Sequence, residues 1–150
     1  MFSLRTTMKS VSTAALAATV MIAPAQAAHA FNCADYHVAN VVNATNEYRT
    51  SNGLDKVNCD DELTAESQEW AETMRKADDG KGDHTFHDES THAAENVAWG
   101  NGKRTPQWAA DQWYNSPGHR ANMLDPEASM IGVGWVEDSK KGTYAVQRFW

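Results

Sequence analysis

Residues 113–124 read Trp113-Tyr114-Asn115-Ser116-Pro117-Gly118-His119-Arg120-Ala121-Asn122-Met123-Leu124. The Ser-Pro pair marks a helix start. A serine stands where its hydroxyl can take a free backbone N–H, and a proline fills the first turn, where its missing N–H costs nothing. The reading places a short helix from Pro117 onward, carrying His119, Ala121, Asn122 and Met123. Thr105-Pro106 uses the same device and opens the preceding helix, which presents Trp108, Ala109, Gln112 and Trp113.

Downstream the period changes from helical to alternating. Ile131, Val133 and Trp135 alternate with Gly132, Gly134 and Val136, the pattern of a strand approached closely by another element. Tyr144 to Trp150 is a second strand, and Asp138-Ser139-Lys140-Lys141-Gly142 joins the two as a hairpin. Upstream, Val38, Val41, Val42, Thr45 and Tyr48 follow helical spacing between Asp35 and the stop at Asn52-Gly53. A second helix opens with Asp60 or Asp61 as its cap, carries Leu63, Ser67, Trp70, Ala71 and Met74, and ends near Asp79-Gly80. Lys81 to Glu95 shows no apolar period and is expected to be a loop. Asn96 to Gly100 is a short strand. Helices first and strands last predict an α+β fold in which helices pack on an antiparallel sheet. No repeat and no low-complexity segment interrupts it, and no appended domain is expected after Trp150.

The first thirty residues are set apart from this pattern. Arg5 and Lys9 precede an apolar run from Val11 to Ile22 and then small residues, the form of an export signal. Ala25-Gln26-Ala27 and Ala28-His29-Ala30 are both cleavage sites, so residues 1–30 are expected to be removed after Ala27 or Ala30 and residues 31–150 to form one domain. The apolar run is too short for a membrane span. Without Arg5 and Lys9 the 13 basic residues fall to 11 against 20 acidic ones, a balance of −9 that disfavours nucleic acid and anionic lipid surfaces. In an exported chain the two cysteines, Cys33 and Cys59, are expected to pair as a disulfide. Asn43-Ala44-Thr45 is a glycosylation sequon, relevant only in a eukaryotic secretory pathway and only if Asn43 is exposed.

The candidate chemistry lies in the histidines. His84, His87 and His92 sit in the loop before Glu95, and His119 lies at the start of the Ser-Pro helix. Imidazoles and a carboxylate brought together would hold a borderline metal such as zinc or transfer protons near neutral pH. Each histidine taken alone is equally a surface or hydrogen-bonded core residue. No H-E-x-x-H spacing, G-x-S-x-G elbow or cysteine protease signature occurs.

The run from Trp113 to Leu124, followed by Ile131-Gly132-Val133-Gly134, resembles the W-x-N-S-P-G-H-R-x-N-[IML]-L…I-G-V-G pattern of the microbial SCP-like extracellular branch of the CAP superfamily, the cysteine-rich secretory, antigen and pathogenesis-related proteins. Glu95-Asn96-Val97-Ala98 resembles the E-N-[LIV]-A element. Asn46-Glu47-Tyr48-Arg49 with Asn52-Gly53-Leu54 resembles the first-helix element, and Asp61-Glu62-Leu63 with Gln68-Glu69-Trp70-Ala71 fits the second helix. The resemblance covers about Val38 to Phe149. It implies a three-layer α-β-α sandwich with a central antiparallel sheet and a cleft lined by two histidines and acidic residues. His119 matches the second family histidine and Glu95 the family glutamate. His84, followed by Thr85 as in the H-[ST] element, is the choice for the first histidine, with His87 as fallback. A second glutamate of the four-residue cleft is replaced here by Ser116, and a hydroxyl does not act as a carboxylate base at neutral pH.

The expected function is that of a secreted or periplasmic binding protein for a lipid, sterol, host molecule or other extracellular partner, with no required cofactor and His84 and His119 as ligands for a divalent cation such as zinc. The alternative is a hydrolase in which His84 and His119 hold zinc or activate water and Glu95 serves as acid, base or orienting group. Ser116 as a nucleophile is a further alternative, set against a structural role as a helix cap.

Overall fold

A computed structural model describes residues 31–82 and 84–150, so the expected export signal lies outside the described residues. The elements run α1 (Tyr36–Ser51), β1 (Asn58–Cys59), α2 (Asp61–Ala77), β2 (Ala94–Gly100), α3 (Pro106–Asn115), α4 (Pro117–Met123), β3 (Met130–Asp138) and β4 (Gly142–Phe149). Each expected helix is present. Asp60 is the cap of α2, accepting from Leu63 N at 2.8 Å, and Thr105 caps α3 through Trp108 N at 3.2 Å. Ser116 occupies the cap position of α4, but its side chain makes no cap bond; Pro117 and the backbone carbonyl of Ser116, which accepts from Arg120 N, set the start of the helix.

The sheet order is β1-β3-β4-β2. β3 and β4 form the expected antiparallel hairpin and β2 adds antiparallel to β4. β1 pairs parallel to β3 through Asn58 and Cys59, so the sheet is mixed and not purely antiparallel as expected. A two-residue strand is too short to show any side-chain period, which is why the sequence pattern does not reveal it.

Helices cover both faces, giving the three-layer α-β-α sandwich. On one face α1 and α3 place Val38, Val41, Val42, Ala109 and Trp113 against Ile131, Val133, Trp135, Ala145 and Phe149. On the other, Ala71 and Met74 of α2 meet Val97, Val136, Tyr144 and Val146. Trp113 is fully buried, and its indole N–H has no hydrogen-bond partner among the described residues, so packing alone holds it. The alternating glycines of β3 have a direct cause. A Cβ on Gly132 would lie 2.3 Å from the Leu63 carbonyl carbon, and one on Gly134 would lie 2.1 Å from the Ser67 carbonyl oxygen. The α2 backbone therefore rests directly on β3. Two α2 side chains also bond β3 N–H groups: Trp135 N donates to Gln68 Oε1 at 2.7 Å and Val133 N to Thr64 Oγ1 at 3.4 Å.

Cys33 and Cys59 form the expected disulfide, tying the segment before α1 to β1. Asn43 is exposed on α1, whereas Thr45 of the same sequon is buried and donates to Val41 O. Among the described residues no helix is long and apolar enough to cross a membrane.

Candidate functional site

Glu95 lies in β2, with its side chain 4% exposed. Strand register puts it opposite Arg148 of β4, and both project toward the α2 layer. Arg148 donates to Glu95 Oε2 from Nε at 3.0 Å and from Nη2 at 2.8 Å. Glu95 Oε1 takes the Asp88 backbone N–H at 3.0 Å and His87 Nδ1 at 2.9 Å. Facing a carboxylate, Nδ1 is the donor nitrogen of His87. Four donors thus converge on one carboxylate and occupy its lone-pair positions. Arg148 also reaches Asp88 Oδ2 at 2.8 Å. Burial pushes the Asp88 carboxyl up, but hydrogen bonds from Ser90 and Arg148 outweigh it and hold it below the ordinary range.

His119 is held from behind by a polar chain crossing the sheet. Asn96 Nδ2 donates to His119 O at 3.0 Å and to Gln147 Oε1 at 2.9 Å, while Asn96 Oδ1 accepts from Asn122 Nδ2 at 2.9 Å. Gln147 Nε2 passes the chain to Thr45 Oγ1 at 2.7 Å. Asn96, Gln147 and Thr45 are fully buried and mutually satisfied, the condition under which a polar network rigidifies a core. Partial burial lowers the pKa of His119, and a charge on His87 lowers it further, so the two rings are electrostatic neighbours.

His84 is elsewhere. Its Nδ1 sits 2.7 Å from Asp78, and its ring stacks on Trp99 with centroids 3.7 Å apart. Asp78, at the end of α2, also takes Tyr144 OH and the Gly80 N–H, and its carboxyl is held down to about 2 first by the Tyr144 bond. Lys141 Nζ closes that helix end by donating to the Arg75 and Asp78 carbonyls. Of the two loop histidines, it is the fallback His87 that bonds Glu95, while His84 bonds Asp78 and ties the start of the loop to the end of α2.

This arrangement also bears on the zinc expectation. Among the described residues no group of three or more histidine, cysteine or carboxylate side chains is arranged to hold a metal ion. His84 Nδ1 is bonded to Asp78, and the carboxylate beside His87 is already taken by Arg148. Those donors do not fit a zinc centre with three protein ligands. Ser116 makes no side-chain cap bond, and among the described residues no histidine bonds its hydroxyl to activate it. Reasoning from sequence passed over Arg148, Asp88 and the Asn96–Gln147–Asn122 chain. Arg148 carried a readable signal, because Tyr144, Val146 and Arg148 share one face of a strand and place a charge in an apolar row.

Direct comparison agrees with the motif resemblance. The model of the Cysteine-rich secretory protein family matches residues 42–149. The uncharacterized protein YkwD of Bacillus subtilis is 32% identical over 122 residues, covering 73% of this chain and 45% of its own length. Cysteine-rich venom protein Mr30 of Conus marmoreus is 31% identical over 107 residues, covering 63% of this chain and 36% of its own. The chain thus spans less than half of these two relatives. Among solved structures, an outer surface protein of Borrelia burgdorferi superposes with a TM-score of 0.59 at 19% identity, covering 75% of this chain and 90% of that one, a likeness of fold. The match over residues 42–149, the layered sheet and the Glu95/His119 framework agree, and the chain belongs to the cysteine-rich secretory protein family.

Proposed function

We propose that this chain is an exported, non-catalytic binding protein acting outside the cell or in the periplasm, with residues 31–150 as its one domain. Its recognition surface is the cleft of His87, Glu95 and His119. One observation carries the reading: Glu95, the carboxylate that a hydrolase would need as acid or base, already accepts four donors from Arg148, His87 and Asp88. A carboxylate fixed in this way organises a surface and leaves ligands to be read by the imidazole edges. The signal-like pattern read in residues 1–30 and the secretory character named for the family support the location. The polar side chains around the cleft favour a polar partner over a lipid or sterol, and a divalent cation is not needed by the reading.

The hydrolase alternative has one feature in its favour, a His119 kept neutral near physiological pH by burial and by His87. The two are separated by assaying the purified protein and its His119→Ala form on labelled casein, beside zinc calorimetry on both. The binding reading expects no turnover that distinguishes the two proteins. Proteolysis present in the wild type and absent in His119→Ala overturns it, and zinc binding lost in the same variant would restore a metal to the cleft.

A further inference from the structure

Beside the cleft, between α2 and the segment 88–91, lies a cavity of about 300 Å³ walled by Glu66, Trp70, Thr73, Asp88 and Ser90, with Arg148 at its base. Trp70, Asp88 and Ser90 also line an adjoining cavity of about 520 Å³ that reaches Phe86 and His87. Each falls within the roughly 300–1,000 Å³ of small-molecule sites. We propose that this groove binds uncharged sugar rings.

Trp70 supplies the platform. Its indole N–H donates to Phe86 O at 3.0 Å, and the Phe86 ring stands edge-on to it at 5.2 Å and 79°, which sets the plane of a partly exposed indole. A fixed aromatic face of that kind takes the C–H side of a pyranose ring. Arg148 supplies the second, independent feature. Its side chain is 3% exposed, and Nε and Nη2 are bonded to Glu95 and Asp88. Nη1 makes no hydrogen bond among the described residues and forms a long ion pair with Glu66 Oε2 at 3.9 Å. Arg148 lines the cavity, so this amino group is a donor still free to serve a bound acceptor there.

The charges then select the ligand. Glu66, Glu69 and Asp88 line the same cavity and disfavour an anion, while an ammonium, which has no acceptor, leaves Nη1 of Arg148 unused. The group that suits both must accept from Nη1, donate to carboxylates and carry no charge. A hydroxyl does all three, and neighbouring hydroxyls on one ring do so at two points. Thr73 and Ser90 extend the same hydroxyl-compatible lining.

This proposal does not depend on the cleft reading, because turnover or its absence at His119 leaves the Trp70 groove unchanged. It is tested by calorimetry of the purified protein with neutral tetrasaccharides of glucose, mannose and N-acetylglucosamine, and with tetralysine and a galacturonate tetramer as charged probes. The expected result is binding of at least one neutral tetrasaccharide, weakened roughly tenfold or more in Trp70→Ala and in Thr73→Arg, which fills the groove from an exposed α2 position. His119→Ala should retain it, and Trp70→Phe should weaken it less than Trp70→Ala. Binding of no neutral probe overturns the proposal. So does tetralysine binding that Trp70→Ala abolishes, which would assign the groove to a cationic partner, or sugar binding lost in His119→Ala and kept in Thr73→Arg, which would move the sugar into the cleft.

Discussion

Gly134→Ala tests the claim that α2 rests on β3 without side chains between them. The new methyl carbon would lie 2.1 Å from Ser67 O, 2.4 Å from Ser67 C and 2.7 Å from Gln68 N, all backbone atoms that no rotamer change can move. Reaching the 3.4 Å of ordinary contact requires α2 to retreat by about 1.3 Å. That shift strains or breaks the 2.7 Å bond from Trp135 N to Gln68 Oε1 and the weaker one from Val133 N to Thr64 Oγ1. Overpacking costs about 1–3 kcal/mol and an unsatisfied buried N–H about 1–3 kcal/mol, so about 2–6 kcal/mol is expected. At about 4 °C per kcal/mol for a domain of this size, the melting temperature falls by roughly 8–24 °C. The assay is thermal unfolding followed by circular dichroism. Gly118→Ala is the control: a Cβ there meets nothing within 4 Å, and its place in α4 predicts an unchanged or raised melting temperature. A Gly134→Ala protein melting within about 3 °C of wild type would refute the direct backbone packing.

Asp78 should contribute to acid sensitivity. Its folded pKa of about 2 lies below the ordinary 3.8, so its stabilising effect is present above the ordinary value and lost as pH falls toward 2; Asp78→Asn should flatten melting temperature against pH in that window. His119 should titrate below 6.5 by NMR, and His87→Ala should raise its midpoint by removing the neighbouring charge; because the folded ring resists protonation, its contribution destabilises the fold as pH drops below 6.5. Cys33→Ser opens a loop with a sequence separation of 26 and should cost about 3.5 kcal/mol on the chain-entropy model, with one reactive thiol per chain appearing at Cys59 in a thiol titration.

The layering was readable because packing leaves marks on a strand. Ile131-Gly132-Val133-Gly134 announces that one face of β3 is apolar and the other is met by something too close for a Cβ, and α2 proves to be that element. Helix starts were readable for a similar local reason, since Thr105-Pro106 and Asp60 act within one turn of themselves. The site was only half legible. Glu95 and His119 stand in strongly patterned surroundings, whereas His84 and His87 lie close together in a segment with no period. Which one reaches the cleft depends on distant partners: Asp78 at the end of α2 holds His84, and Glu95 on β2 holds His87. Arg148 stood out locally as a charge in an apolar row, but its partner Glu95 follows from strand register, a long-range relation that local pattern does not give.

Arg49 is 1% exposed, and its guanidinium is surrounded by carbonyl oxygens. Nε donates to Asp55 O at 2.8 Å, Nη1 to Met123 O at 2.9 Å and Asp125 O at 2.8 Å, and Nη2 to Ala128 O at 3.2 Å. Burial lowers its pKa, yet an arginine keeps its proton at any physiological pH. The cluster therefore resembles a calcium site in its logic, with one positive charge collecting main-chain oxygens from separate segments. Here the cation is tethered to α1. It cannot be chelated, diluted or exchanged, so the loops that carry the end of α4, and with it His119, stay assembled whatever the ionic composition of the surroundings.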